Sequence, residues 1–209
     1  MLSTLNNNII SQTHHDLDTQ GFAILDDVLP EQVALDINNL FIQCKNWENI
    51  DQVREDHYSH VFKFKSTHLP QEGEIYTAKF GKSFSLAETI SPLFTEYFIP
   101  ILNRLSPFNL TDYDVRCHKQ SIGDHYRTHV DGYAGKLNLI YYVNKEWRWD
   151  WGGILSVLDD TSPNLNIPIF PKFNRVVLLN NKTFRSPHIV SSVEPFALSS
   201  RFSIVSFNK

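Results

Sequence analysis

From Asp112 to the C-terminus the chain divides into eight short runs rich in β-branched and aromatic residues, separated by clusters of Gly, Asn, Asp and Pro. The runs are 113–119, 126–131, 136–143, 153–158, 167–170, 175–180, 188–193 and 201–207. Eight strands in about a hundred residues suit a two-sheet jelly roll, the double-stranded β-helix. Ahead of them, Gly21 to Asp27 reads as a short buried strand and Leu29 to Phe41 as a helix, with Pro30 in its first turn and Val33, Leu35, Ile37, Leu40 and Phe41 on its apolar face. Residues 50–83 carry an alternation of Phe62 and Phe64 against Lys63 and Lys65 that suits a half-exposed hairpin. Helical spacing returns from Phe84 to Leu105, with Pro92 and Pro100 marking boundaries or a kink. The expected fold class is therefore α+β, N-terminal supporting helices packed on a C-terminal jelly roll.

The length suits one domain, residues 1–209, made of a polar leader at 1–20, a strand and helices at 21–111 and the β core at 112–209. With 42% hydrophobic residues, such a chain buries roughly 70% of its unfolded surface without disulfides or a structural metal. Cys44 and Cys117 lie far apart without CxxC spacing and read as free thiols. A net charge of −4 argues against nucleic acid as a partner. No run approaches the ~20 apolar residues of a membrane span, and MLSTLNNNII has neither the charge nor the apolar run of a secretory signal. The expected setting is cytoplasmic, with no membrane partner; the sequence sets no oligomeric state.

His129-Val-Asp131 places two ligand side chains at i and i+2, on one face of a strand. One more histidine would complete a 2-His-1-carboxylate facial triad, which leaves coordination positions open for non-haem Fe(II) chemistry. His188, opening the strand-like His-Ile-Val, is the candidate. The H-x-D spacing alone is weak, and His14-His15-Asp16 repeats it in the polar leader without apolar alternation. On the last strand Arg201 shares a face with Ser203 and Val205; a buried Arg needs an anion, and its planar fork fits a carboxylate, with Tyr142 on a neighbouring strand able to donate a further bond. The structural alternative pairs Arg201 with Asp160 or Glu194.

The run Tyr126 to Asp131, then Leu139-Ile-Tyr-Tyr-Val-Asn-Lys-Glu-Trp147, Gly152-Gly-Ile-Leu155, Pro171-Lys-Phe-Asn-Arg175, Pro187-His188 and Arg201-Phe-Ser203, resembles the iron- and 2-oxoglutarate-dependent dioxygenases of the prolyl 4-hydroxylase type. The hypoxia-inducible-factor prolyl hydroxylases and their bacterial relatives are the nearest resemblance, over about residues 112–207. It implies His129, Asp131 and His188 as iron ligands, and Arg201 and Tyr142 as holders of the distal carboxylate of 2-oxoglutarate in a pocket lined by Ile140, Leu155, Val190 and Ser203. It further implies Fe(II), 2-oxoglutarate and O2 as cofactor and co-substrates, and leaves room for ascorbate. Where relatives often carry a Tyr on the strand before H-x-D, this chain has His118-Lys119-Gln120.

The expected reaction is hydroxylation of a C–H bond, of a prolyl residue in a peptide or of a free amino acid or small metabolite. Residues 50–83 and a hairpin around Trp147, Trp149 and Trp151 are expected to form the substrate opening. His125 reads as a surface histidine or one packing behind the ligands, and His57 and His60 as loop residues. The alternative from another class is a non-catalytic jelly-roll binding module using the tryptophans as an exposed platform.

Overall fold

Period-two alternation in the C-terminal half predicts strands with two different faces, and the computed structural model, which describes residues 6–54, 76–129, 131, 136–158, 166–182 and 187–209, shows them. The elements run α1 (Asn7–Thr19), β1 (Phe22–Leu25), α2 (Glu31–Gln43), β2 (Glu48–Arg54), β3 (Tyr76–Ser83), α3 (Phe84–Leu93), a π-helical segment (Phe94–Phe98), α4 (Ile99–Leu105), β4 (Tyr113–Gln120), β5 (His125–His129) and β6 (Leu137–Tyr142). After a 3₁₀ turn at Trp149–Trp151 follow β7 (Leu155–Leu158), β8 (Asn166–Ile169), β9 (Arg175–Asn180), β10 (His188–Val190) and β11 (Arg201–Asn208). All eight expected C-terminal strands are present.

Among the described residues these strands form one curled antiparallel sheet in the order β1-β9-β6-β11-β4-β3-β5-β10-β7-β8, with β2 added outside on β3. The two faces of the jelly roll meet at β3: Gly81–Ser83 pair with β4, and Ala78 and Lys79 pair with β5. At the far end lies β8, whose Pro168 stands opposite Ser156; lacking an N–H, Pro168 fits an edge position.

Alternation sorts the core into two compartments. Leu137, Leu139 and Tyr141 of β6, Val176 and Leu178 of β9, and Phe202 and Ile204 of β11 face the helices, where Ile37, Phe41, Ile90, Phe94, Phe98 and Leu102 cover them. Ile140 and Tyr142, Val177 and Leu179 face the lumen of the roll with Leu155, Val157 and Val190. All six residues of β6 are buried because both of its faces are covered.

Three differences from the sequence expectation have local causes. The polar leader forms α1: Asn6 Oδ1 accepts from the Ile9 N–H at 2.9 Å, Leu17 is fully buried, and Asn180 Nδ2 donates to the Leu17 carbonyl at 3.0 Å. The stretch from Phe84 to Leu105 stays helical past Pro92, and the π-helical segment between the two prolines shifts the register ahead of Pro100, which cannot donate to a preceding carbonyl. Trp149–Trp151 is a 3₁₀ turn, not a hairpin, since its backbone is taken up by bonds such as Trp151 N–H to the Arg148 carbonyl. β2 pairs with β3 across the ends of the 50–83 segment, while the expected hairpin of alternating Phe62 to Lys65, with His57 and His60, lies outside the described residues. Cys44 and Cys117 are free, and burial pushes the Cys117 thiol up to about 12. No described helix is long and apolar enough to cross a membrane.

The docking of α1 through Leu17 gives a direct measurement: Leu17→Ala lowers unfolding free energy by about 2–5 kcal/mol in urea titration, whereas Ile9→Ala, at a 37% exposed position, changes it by under about 1 kcal/mol.

Candidate metal centre and anion pocket

Two antiparallel neighbours, β5 and β10, put His129 and His188 directly opposite one another, with ring centroids 4.2 Å apart. Asp131 follows β5 and sets its carboxylate against both: Oδ1 lies 3.6 Å from His129 Nε2 and Oδ2 lies 3.8 Å from His188 Nε2. Among the described residues this is the one group of three such side chains whose ligand atoms all lie within 4.8 Å of one another. His14 and Asp16, the second H-x-D, sit on α1 and form no such group.

The surroundings prepare these groups for a cation. His129 Nδ1 lies 2.7 Å from the Arg127 carbonyl, which fixes the proton on that nitrogen and puts the ring's lone pair on Nε2, toward Asp131. Burial alone would raise the Asp131 carboxyl, but His188, His129 and the Asn138 amide outweigh it and hold the carboxyl well below the usual carboxylate range. Asn138 Nδ2 donates to Asp131 Oδ2 at 2.6 Å. A polar residue within the apolar run Leu137 to Val143, at the lumen parity of Ile140 and Tyr142, is the sequence signal that would have found Asn138. Two imidazole nitrogens and a carboxylate oxygen are a donor set that fits Fe(II).

Away from the metal ligands, the lumen holds a second set. Arg201 is 3% exposed, its guanidinium carbon 4.9 Å above the Tyr142 ring, and its Nη1 donates to Gln120 Oε1 at 2.6 Å. No described carboxylate lies within ion-pair distance of it, so Glu194 is not its partner; Asp160 lies outside the described residues. Gly153, at φ +63°, makes the room: a Cβ there would stand 2.6 Å from Arg201 Cδ. Four fully buried polar atoms in this region have no protein hydrogen-bond partner among the described residues: Arg201 Nε, Tyr142 Oη, Gln120 Nε2 and His118 Nε2. An unsatisfied buried donor costs about 1–3 kcal/mol. All four can donate, and Tyr142, Gln120 and His118 all surround Arg201, which is the chemistry of an anion pocket.

Ile140, Leu155 and Val190 share the lumen cluster with Tyr142, and Ser203 stands opposite both Tyr142 and His118 in the sheet register. His118, where a Tyr was expected from the resemblance, lies 3.2 Å from the Tyr126 hydroxyl, and burial together with Arg116, Lys82 and Arg201 pushes it down to about 3. His125 bonds locally to the Gly123 carbonyl. Toward the tryptophan segment, Val157 pairs with His188, while Gly153, two residues ahead of β7, donates its N–H to the Ser192 carbonyl. Trp147 and Trp151 pack against each other at this Arg201 end, and Trp149 is 77% exposed. Of the expected substrate opening, Trp147–Trp151 thus lies toward the Arg201 end of the lumen, and residues 55–75 lie outside the described residues.

Residues 113–209, which include every one of these site residues, match the family model of the 2OG-Fe(II) oxygenase superfamily. No curated protein matches the chain. Among solved structures it resembles a prolyl hydroxylase from Trichoplax adhaerens, in complex with a peptide fragment of the hypoxia inducible factor oxygen degradation domain, at 19% identity and TM-score 0.67 over 96% of this chain and 89% of that one. A prolyl-4-hydroxylase from Pseudomonas putida matches at 16% identity and TM-score 0.61, covering 96% and 98%. The non-heme alpha ketoglutarate dependent epimerase SnoN from nogalamycin biosynthesis shares the fold at 10% identity and TM-score 0.59, covering 96% and 83%.

Two outcomes follow from this geometry. Asn138→Leu, which removes the amide that holds Asp131, weakens Mn(II) binding in calorimetry by about 10- to 100-fold, while Asp16→Asn leaves it unchanged. His118 has a folded pKa near 3 against 6.5 unfolded, so the unfolded chain takes up the extra proton between them and stability falls as pH drops through that window, by at most about 1.4 kcal/mol per unit. His118→Phe removes this contribution from the acid limb of a urea-unfolding series.

Proposed function

We propose that this chain, whose residues 113–209 belong to the 2OG-Fe(II) oxygenase superfamily, hydroxylates an aliphatic C–H bond of a prolyl residue in a peptide. The observation that carries the reading is the pairing, within one lumen, of the His129, Asp131 and His188 donors with a buried Arg201 that has no acidic partner among the described residues.

In this reading His129, Asp131 and His188 would hold Fe(II). Bound there with 2-oxoglutarate and O2, the metal supplies oxidation of the substrate C–H coupled to conversion of 2-oxoglutarate to succinate and carbon dioxide. The chain's own contribution is position and dryness. Arg201 and Tyr142 hold the far carboxylate of 2-oxoglutarate by charge-assisted donation; Ile140, Leu155 and Val190 exclude water beside its methylenes, and Ser203 adds a small polar wall. The Arg127 carbonyl and the Asn138 amide keep His129 and Asp131 in their ligating orientations.

The prolyl assignment is supported by the two prolyl hydroxylases that share the fold, one of them in complex with a peptide. A small metabolite is the second substrate class, since the same fold also serves the epimerase SnoN. Substrate would approach at the His129 and His188 end, beside which β3 runs in register with Tyr126. The binding-module alternative loses its platform: of the three alternating tryptophans only Trp149 is open to solvent.

The experiment incubates the protein with Fe(II), 2-oxoglutarate and O2 together with a proline-peptide library and, separately, a metabolite extract, and reads mass gains of one oxygen alongside succinate. A peptide product supports the proposal, a small-molecule product moves the substrate to the second class, and absence of succinate in every arm overturns it. Arg201→Ala weakens 2-oxoglutarate binding by about 2–5 kcal/mol, and Trp149→Ala leaves coupled turnover within about twofold of the parent chain.

A further inference from the structure

Gln120 ends β4 directly opposite Arg201 on β11, and the two are joined by the Nη1 to Oε1 bond at 2.6 Å. An arginine side chain only donates, so Gln120 must present its oxygen to it. The carboxamide is planar, and its Nε2 is thereby turned away from Arg201; it is fully buried and meets no acceptor among the described residues. Arg201 is left in a matching condition, since Gln120 occupies Nη1 while Nε has no partner among the described residues. The residue itself is 0% exposed, so the orphaned N–H group has no access to bulk water.

A glutamine retained only to steady Arg201 would carry a buried, unsatisfied amide at a cost that a methionine of similar length avoids. Resting on the co-substrate reading above, we infer that Gln120 is a specificity-determining residue for the dicarboxylic 2-oxo acid: Oε1 fixes the Arg201 fork, and Nε2–H donates to the same distal carboxylate. The pocket then reads the far acid group with Arg201 and a neutral amide together. A 2-oxo acid lacking that group gains nothing from Gln120.

Two substitutions separate donation from support. Gln120→Glu keeps an oxygen for Arg201 but replaces the donor with an anion; Gln120→Met keeps the length and removes both. In anaerobic calorimetry on the Mn(II)-loaded chain, with thermal unfolding as the check on folding, both variants lose at least about 10-fold in 2-oxoglutarate affinity, while pyruvate affinity stays within about threefold of the parent. Gln120→Glu binding 2-oxoglutarate as tightly as the parent, or more tightly, overturns the inference, because it leaves Gln120 a support for Arg201 alone. An equal loss for pyruvate and 2-oxoglutarate in Gln120→Met overturns it as well, since the damage would then lie at the metal end. If the parent chain binds Mn(II) but neither acid, the co-substrate reading itself fails and takes the inference with it.

Discussion

Because successive residues of a strand point to opposite faces, β6, β9 and β11 must each satisfy two environments at once: helix-side hydrocarbon and a lumen that holds polar groups. Phe202 and Ile204 secure β11 to the helix layer, and that anchoring fixes where Arg201 and Ser203 stand on the other side. In β6 the same division sends Leu137, Leu139 and Tyr141 outward and Asn138, Ile140 and Tyr142 inward. A one-residue slip in either strand would exchange the two sets and place a guanidinium among phenylalanines. The functional groups are thus held in place by hydrophobic burial on the face they do not occupy.

The lumen departs from ordinary interior chemistry in a directed way. Buried polar groups are normally paired within the protein, yet around Arg201 four atoms able to donate, Arg201 Nε, Tyr142 Oη, Gln120 Nε2 and His118 Nε2, are left without acceptors among the described residues. Around Asp131 the balance is reversed, because its carboxylate sits between two histidines and below an amide donor. One lumen therefore carries an anionic end suited to a cation and a donor-rich end suited to an acid. This polarity accords with the match of residues 113–209 to the 2OG-Fe(II) oxygenase family model.

The strands, two of the helices and the principal site residues could be read from the sequence because each rests on local periodicity or on a pair at i and i+2. His129 and Asp131 belong to that class, and His188 was reachable as a histidine opening a strand. The Arg201 to Gln120 bond was not, since it depends on the register between strands 81 positions apart, which no local pattern encodes. Helix α1 was hidden because its apolar residues are few and its cap, Asn6, lies in a run of asparagines. The tryptophans misled for the opposite reason. Their alternation imitates a strand, but backbone bonding in the 3₁₀ turn and the packing of Trp147 on Trp151 decide the local structure.

The terminal position of Pro168 has a meaning beyond this chain's own fold. An open sheet ends in a row of unpaired backbone groups, and a strand from another molecule can extend it if those groups are available. β8 is only Asn166 to Ile169, and at its third residue the outward donor is absent. A visiting strand would meet a gap in the ladder after two residues, so the curled sheet closes itself to polymerisation at this border by chemistry instead of by cover.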